Sequence, residues 1–150
     1  MTINRVKFAG FSVMLPKGWI DVTDELVEGS PFTLRKENSA LGALQFAVRL
    51  CKPGKSPDIN MDKLTSLLND FSAKNELGAA RNIKKCNEGM LSISGEFVNS
   101  DEFVCIWYVS ENNNIAMITY GSTLADDSLL PGEVAEADQI VKSIIFENKM

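Results

Sequence analysis

Apolar and polar residues alternate with a period of two along most of the chain, and helical spacing replaces that period twice. Val6 and Phe8 alternate with Arg5 and Lys7. Past Gly10, Phe11, Val13 and Leu15 alternate with Ser12 and Met14. Pro16-Lys17-Gly18 then supplies a turn, because proline presets its own φ and glycine accepts a positive one. Trp19 and Ile20 return to an apolar surface, and 24–29 is polar enough for a loop. The pattern predicts strands over 31–36 and 44–50, paired as a hairpin, with Leu44, Phe46, Val48 and Leu50 on one face. A loop rich in Pro, Gly, Lys and Ser covers 51–59.

Met61, Leu64, Leu67, Leu68 and Phe71 then fall on one helical stripe. Asn60 or Asp58 caps its start, and Gly78 closes it. Three further strands follow, at 90–98, 103–109 and 115–120. Their polar connections have hairpin length, so this part is antiparallel. Trp107 and Tyr108 must point to opposite faces. A last helix is predicted over 131–145, with Pro131 in its first turn and Val134, Ala137, Ile140, Val141, Ile144 and Ile145 buried. No linker or repeat interrupts this order, so residues 1–150 read as one domain.

Composition narrows the chemistry. The chain has no histidine, which excludes the serine-histidine-acid triad, the cysteine-histidine pair and the usual mixed zinc sites. Its net charge of −5 is uneven: residues 76–150 carry five basic and twelve acidic side chains. That half opposes binding to nucleic acid or to an anionic membrane and suits a basic protein partner. No apolar stretch approaches a membrane span, and Asn4, Arg5 and Lys7 break up any early signal-like run. Cys51, Cys86 and Cys105 form no CxxC pair, and each reads as a buried reduced thiol. A cytoplasmic location is therefore expected.

Candidate sites are sparse. Gly54-Lys55-Ser56 ends like a phosphate loop, but its leading glycine would fall on Arg49, and Pro53 removes a backbone donor. Asp126, Asp127, Glu133 and Glu136 have no calcium-loop spacing and read as a solvated acidic face; a metal-dependent carboxylate enzyme is the alternative they leave open. Cys105 lies between Val104 and Ile106 with no base nearby. No catalytic residue, metal or cofactor is expected. The best positioned binding residues are the exposed connections Glu111, Asn112, Asn113 and Asn114, with Asp126, Asp127 and Tyr108.

The opening Phe11-Ser12-Val13-Met14-Leu15-Pro16-Lys17-Gly18-Trp19 resembles the PsbP-like superfamily, which includes DcrB-like proteins and small secretion-associated proteins. Ala137-Asp138-Gln139-Ile140-Val141-Lys142-Ser143-Ile144-Ile145-Phe146 resembles the family ending, where a helix runs into a short last strand around Ile144 to Glu147. The resemblance implies an α+β fold: an α/β sandwich with a central antiparallel sheet and packed helices. Relatives serve photosystem assembly, Ran binding, effector chaperoning and toxin neutralisation, without a shared catalytic set. It therefore implies a protein-binding role, most concretely an immunity protein whose partner is a secreted toxin or effector. A chaperone or adaptor for a secreted effector is the alternative.

Overall fold

The computed structural model describes residues 4–37, 39, 41–50, 59–100, 102–123 and 126–147. The phosphate-loop look-alike and Cys51 lie outside them. The strands are β1 (Asn4–Phe8), β2 (Phe11–Leu15), β3 (Trp19–Asp21), β4 (Phe32–Lys36), β5 (Gly42–Arg49), β6 (Arg81–Cys86), β7 (Leu91–Asn99), β8 (Glu102–Glu111), β9 (Asn114–Ser122) and β10 (Ile145–Phe146). The helices are α1 (Met61–Lys74) and α2 (Leu130–Lys142).

Seven strands form one antiparallel sheet in the order β3-β4-β5-β9-β8-β7-β6. The other three form a small sheet, β1-β2-β10. Alternation along β8 divides the interior. Phe103, Cys105, Trp107 and Val109 face a core shared with α2, β2 and β10, while Ile106 and Tyr108 face a second core under α1. The layers are therefore α1, the large sheet, and then α2 beside the small sheet. Trp107 and Tyr108 do point to opposite faces, and both are buried because each face has its own helix.

Local signals set the boundaries. Pro16 accepts a 3.2 Å hydrogen bond from the Trp19 N–H, closing the turn in which Gly18 holds φ +92. Asn112 and Asn113 both have positive φ, giving a two-residue hairpin turn. The Asn60 side chain accepts a 2.9 Å bond from Lys63 N and so caps α1. Asn60→Ala should cost about 1 kcal/mol, read as a lower urea midpoint at unchanged slope. On β7, a side chain at Gly95 would meet Leu68 and Ala80 at 3.2–3.5 Å, so this glycine lets α1 settle close to the sheet.

Four expectations need correction. β6 is a seventh strand of the large sheet that periodicity missed: all six of its residues are exposed, so burial imposes no alternation. Cys86, on this strand, is exposed rather than buried. Ile145 is also exposed, because the chain leaves the helix after Lys142 and pairs with β2 instead. Leu67 is half-buried, and Leu64 and Leu68 carry the α1 core. Among the described residues, no helix is long and apolar enough to cross a membrane.

Candidate functional site

The acidic residues of α2 are not a solvated face. Glu133 is buried; it accepts a 2.9 Å hydrogen bond from the Tyr120 hydroxyl and a 2.8 Å bond from Ser39 Oγ. Glu136 accepts 3.1 Å from Trp19 Nε1 and 2.8 Å from Lys36 Nζ. Asp138 accepts 3.0 Å from Trp107 Nε1 and pairs with Lys142 Nζ at 2.8 Å. Three carboxylates thus pin α2 to three aromatic polar groups of the sheet. They are committed to structure, and among the described residues no group of three metal-ligating side chains converges.

These contacts hold protons. Burial, then the Glu133 bond, raises the Tyr120 phenol above its ordinary 10.0. Burial raises the Cys105 thiol above 9.0. Their carboxylate partners raise Lys36 and Lys142. A folded pKa above the unfolded one gives stability that is complete below the unfolded value and lost as pH rises past it. The urea midpoint should therefore hold up to about pH 9 and fall above it, with Tyr120→Phe removing part of the fall.

Beside α2 the sheet runs on uncovered and leaves a groove. The helical stripe Pro131, Val134, Asp138 and Lys142 forms one wall, and Arg81 and Lys84 of β6 form the other. Its floor is Ser92, Ser94 and Glu96 of β7 with Cys105, Trp107 and Val109 of β8. A lobe of about 640 Å³ lies toward the start of α2, and one of about 320 Å³ toward its end. Lys84, Ser94, Trp107, Asp138 and Lys142 line both, so the lobes are one trough. Register explains the middle: Lys84 lies opposite Ser94, which lies opposite Trp107. Glu96 is held by Asn82 Nδ2 at 2.9 Å and by Arg81 at 3.7 Å.

The residues chosen from sequence are not brought together. Tyr108 is buried under α1, with its hydroxyl 3.5 Å from Met117 Sδ, and Asn114 is buried at the start of β9. Neither can present a side chain to a partner, which corrects the expectation for both. Glu111 and Asn112 are exposed at the hairpin tip, and Asn113 is half-buried, accepting a bond from Ile59 N. Asp126 is exposed. Asp127 Oδ1 accepts 2.8 Å from Leu129 N and helps start α2. The tip precedes β9 and the aspartates follow it, with a nine-residue strand about 26 Å long between them. They do not form one surface. The groove was missed because β6 gave no periodic signal. One trace was legible: Ser92, Ser94 and Glu96 alternate with Leu91, Ile93, Gly95 and Phe97, leaving a polar strand face with nothing assigned to it.

A solved structure of cyanobacterial PsbP from Synechocystis is similar over 97% of this chain and 92% of its own, with TM-score 0.59 and 15% identity. The fold is PsbP-like. A Bacteroides thetaiotaomicron protein matches 94% of this chain with TM-score 0.58 and 12% identity; the match spans 46% of that protein. No family model and no curated protein matches the chain. The PsbP-like likeness agrees with the architecture that the opening and closing segments implied.

Proposed function

We propose that this chain is a non-catalytic protein-binding protein and that the groove beside α2 is its binding surface. The observation that carries this is the trough itself: about 640 Å³ in its larger lobe, with Trp107 in the floor and Lys84 on the rim. Trp107 itself is buried, so the surface offered to a partner is the exposed rim of Arg81 and Lys84 with the part-buried Ser92, Ser94 and Val134. The α2 carboxylates already hold the helix in place, so the proposal assigns them no proton transfer.

The most concrete form is an immunity protein that occludes a secreted bacterial toxin, with the DcrB-like and secretion-associated resemblance as its support. Binding would be stoichiometric, without turnover. Purification of the tagged chain from its own organism should recover a secreted or toxic protein, and adding the chain should abolish that protein's activity at a one-to-one ratio. Recovery of no such protein would count against it.

An adaptor for a secreted effector is the second reading, favoured by the elongated shape of the groove, which suits a segment more than a folded surface. Light scattering separates the two. A monomer protecting against an already folded toxin supports immunity, and a dimer holding an unfolded effector segment supports the adaptor.

A further inference from the structure

We infer that the groove takes an extended segment of the partner carrying a carboxylate side chain, seated between Lys84 and the hydroxyls of Ser92 and Ser94. This rests on the protein-binding reading and specifies the chemistry that the partner must bring.

The first argument is what is already spoken for. Glu96 is held by Arg81 and Asn82, and Asp138 by Trp107 and Lys142. Among the described residues, Lys84 Nζ and the hydroxyls of Ser92 and Ser94 make no hydrogen bond or ion pair. Lys84 and Ser94 lie directly opposite in register, and Ser92 points to the same face two residues away. These are three uncommitted donor groups on one side of the trough, and a carboxylate accepts from all three. Glu88 is the remaining acid in the lining; it lies at the far end of the smaller lobe.

The second argument is shape. The trough follows α2 from Leu130 to Lys142, about 18 Å at the helical rise, which five or six extended residues would span. Both lobes are partly open to solvent, unlike the enclosed pockets that bury most of a small ligand. Pro131, Val134 and Met90, exposed or half-buried along the lining, offer apolar contact to residues flanking the carboxylate. The occupant lies on the sheet face and does not extend the sheet. β6 is a poor edge for strand addition, since a register shift interrupts it at Asn82, which has positive φ, and it carries Lys84 and Lys85.

Selection of a random hexapeptide library on the full chain tests this. Enriched sequences should carry Asp or Glu at one fixed position beside apolar residues. Lys84→Glu should weaken the best peptide about tenfold, and so should changing its acid to the amide. Binding should weaken with added salt. The indole N–H resonance of Trp107 should move on titration while that of Trp19 stays, and acetate or inorganic phosphate at equal concentration should move neither. Lys84 is exposed, so the variant should keep its denaturation curve, and Ser94→Ala provides a second, uncharged probe. Enrichment without an acid, indifference to Lys84→Glu, no enrichment at all, or an equal response to phosphate alone would each overturn the inference. A partner still recovered by purification would then leave the binding reading standing without the acidic segment.

Discussion

Glu133→Ala should lower stability by about 2–4 kcal/mol, although the residue is a glutamate on a helix. The substitution removes the acceptor for Tyr120, a fully buried phenol, and for Ser39. Tyr120 has little room to seek another partner: a side chain at Gly42 would lie 2.7 Å from its ring. A buried donor without a partner costs its full desolvation, which is why the loss exceeds that of an ordinary hydrogen bond. Glu133→Gln keeps an acceptor of the same shape and should lose less. Urea denaturation of both variants and of Tyr120→Phe gives the coupling between the two side chains as a double-mutant cycle.

Ile140→Ala should cost about 2–5 kcal/mol by leaving a cavity between α2 and the sheet. Ile145→Ala, five residues later, should change stability by less than about 0.5 kcal/mol, because that side chain is exposed on β10. Sequence alone assigned both residues to one buried helical side. The contrast between them in thermal or urea unfolding therefore tests where the helix ends.

Strong periodicity carried over into structure. The alternation around Phe11 to Leu15, the α1 stripe at Leu64 and Leu68 and the opposed pair Trp107 and Tyr108 all follow from one rule: a face that must be buried has to be apolar at the period of its element. Where burial makes no demand, the sequence was silent. β6 is exposed throughout and could have been read as loop. The α2 carboxylates misled for a different reason. Charge count cannot tell a solvated glutamate from one that meets Tyr120 or Trp19 across the fold, because those partners come from strands many residues away. The groove shares the first difficulty, since its rim comes from the unread strand, and its helix wall joins Val134, read as buried, to Asp138 and Lys142, whose facing the sequence leaves open. Tyr108 faces away from Trp107, and the sequence does not say that each face of this strand is covered by its own helix.

The central claim is that the partner occupies the groove beside α2, and Cys86 offers a direct probe of it. Its exposed thiol lines the smaller lobe, whereas Cys105 is buried. In a Cys51→Ser background, the alkylation rate of Cys86 can be followed by mass spectrometry with and without the purified partner. Occupancy of the groove predicts that saturating partner slows labelling of Cys86 at least about tenfold, with the protection clearly reduced in Lys84→Glu at the same partner concentration. Labelling at an unchanged rate in a complex shown to be fully formed would contradict the assignment and move the interface elsewhere on the molecule.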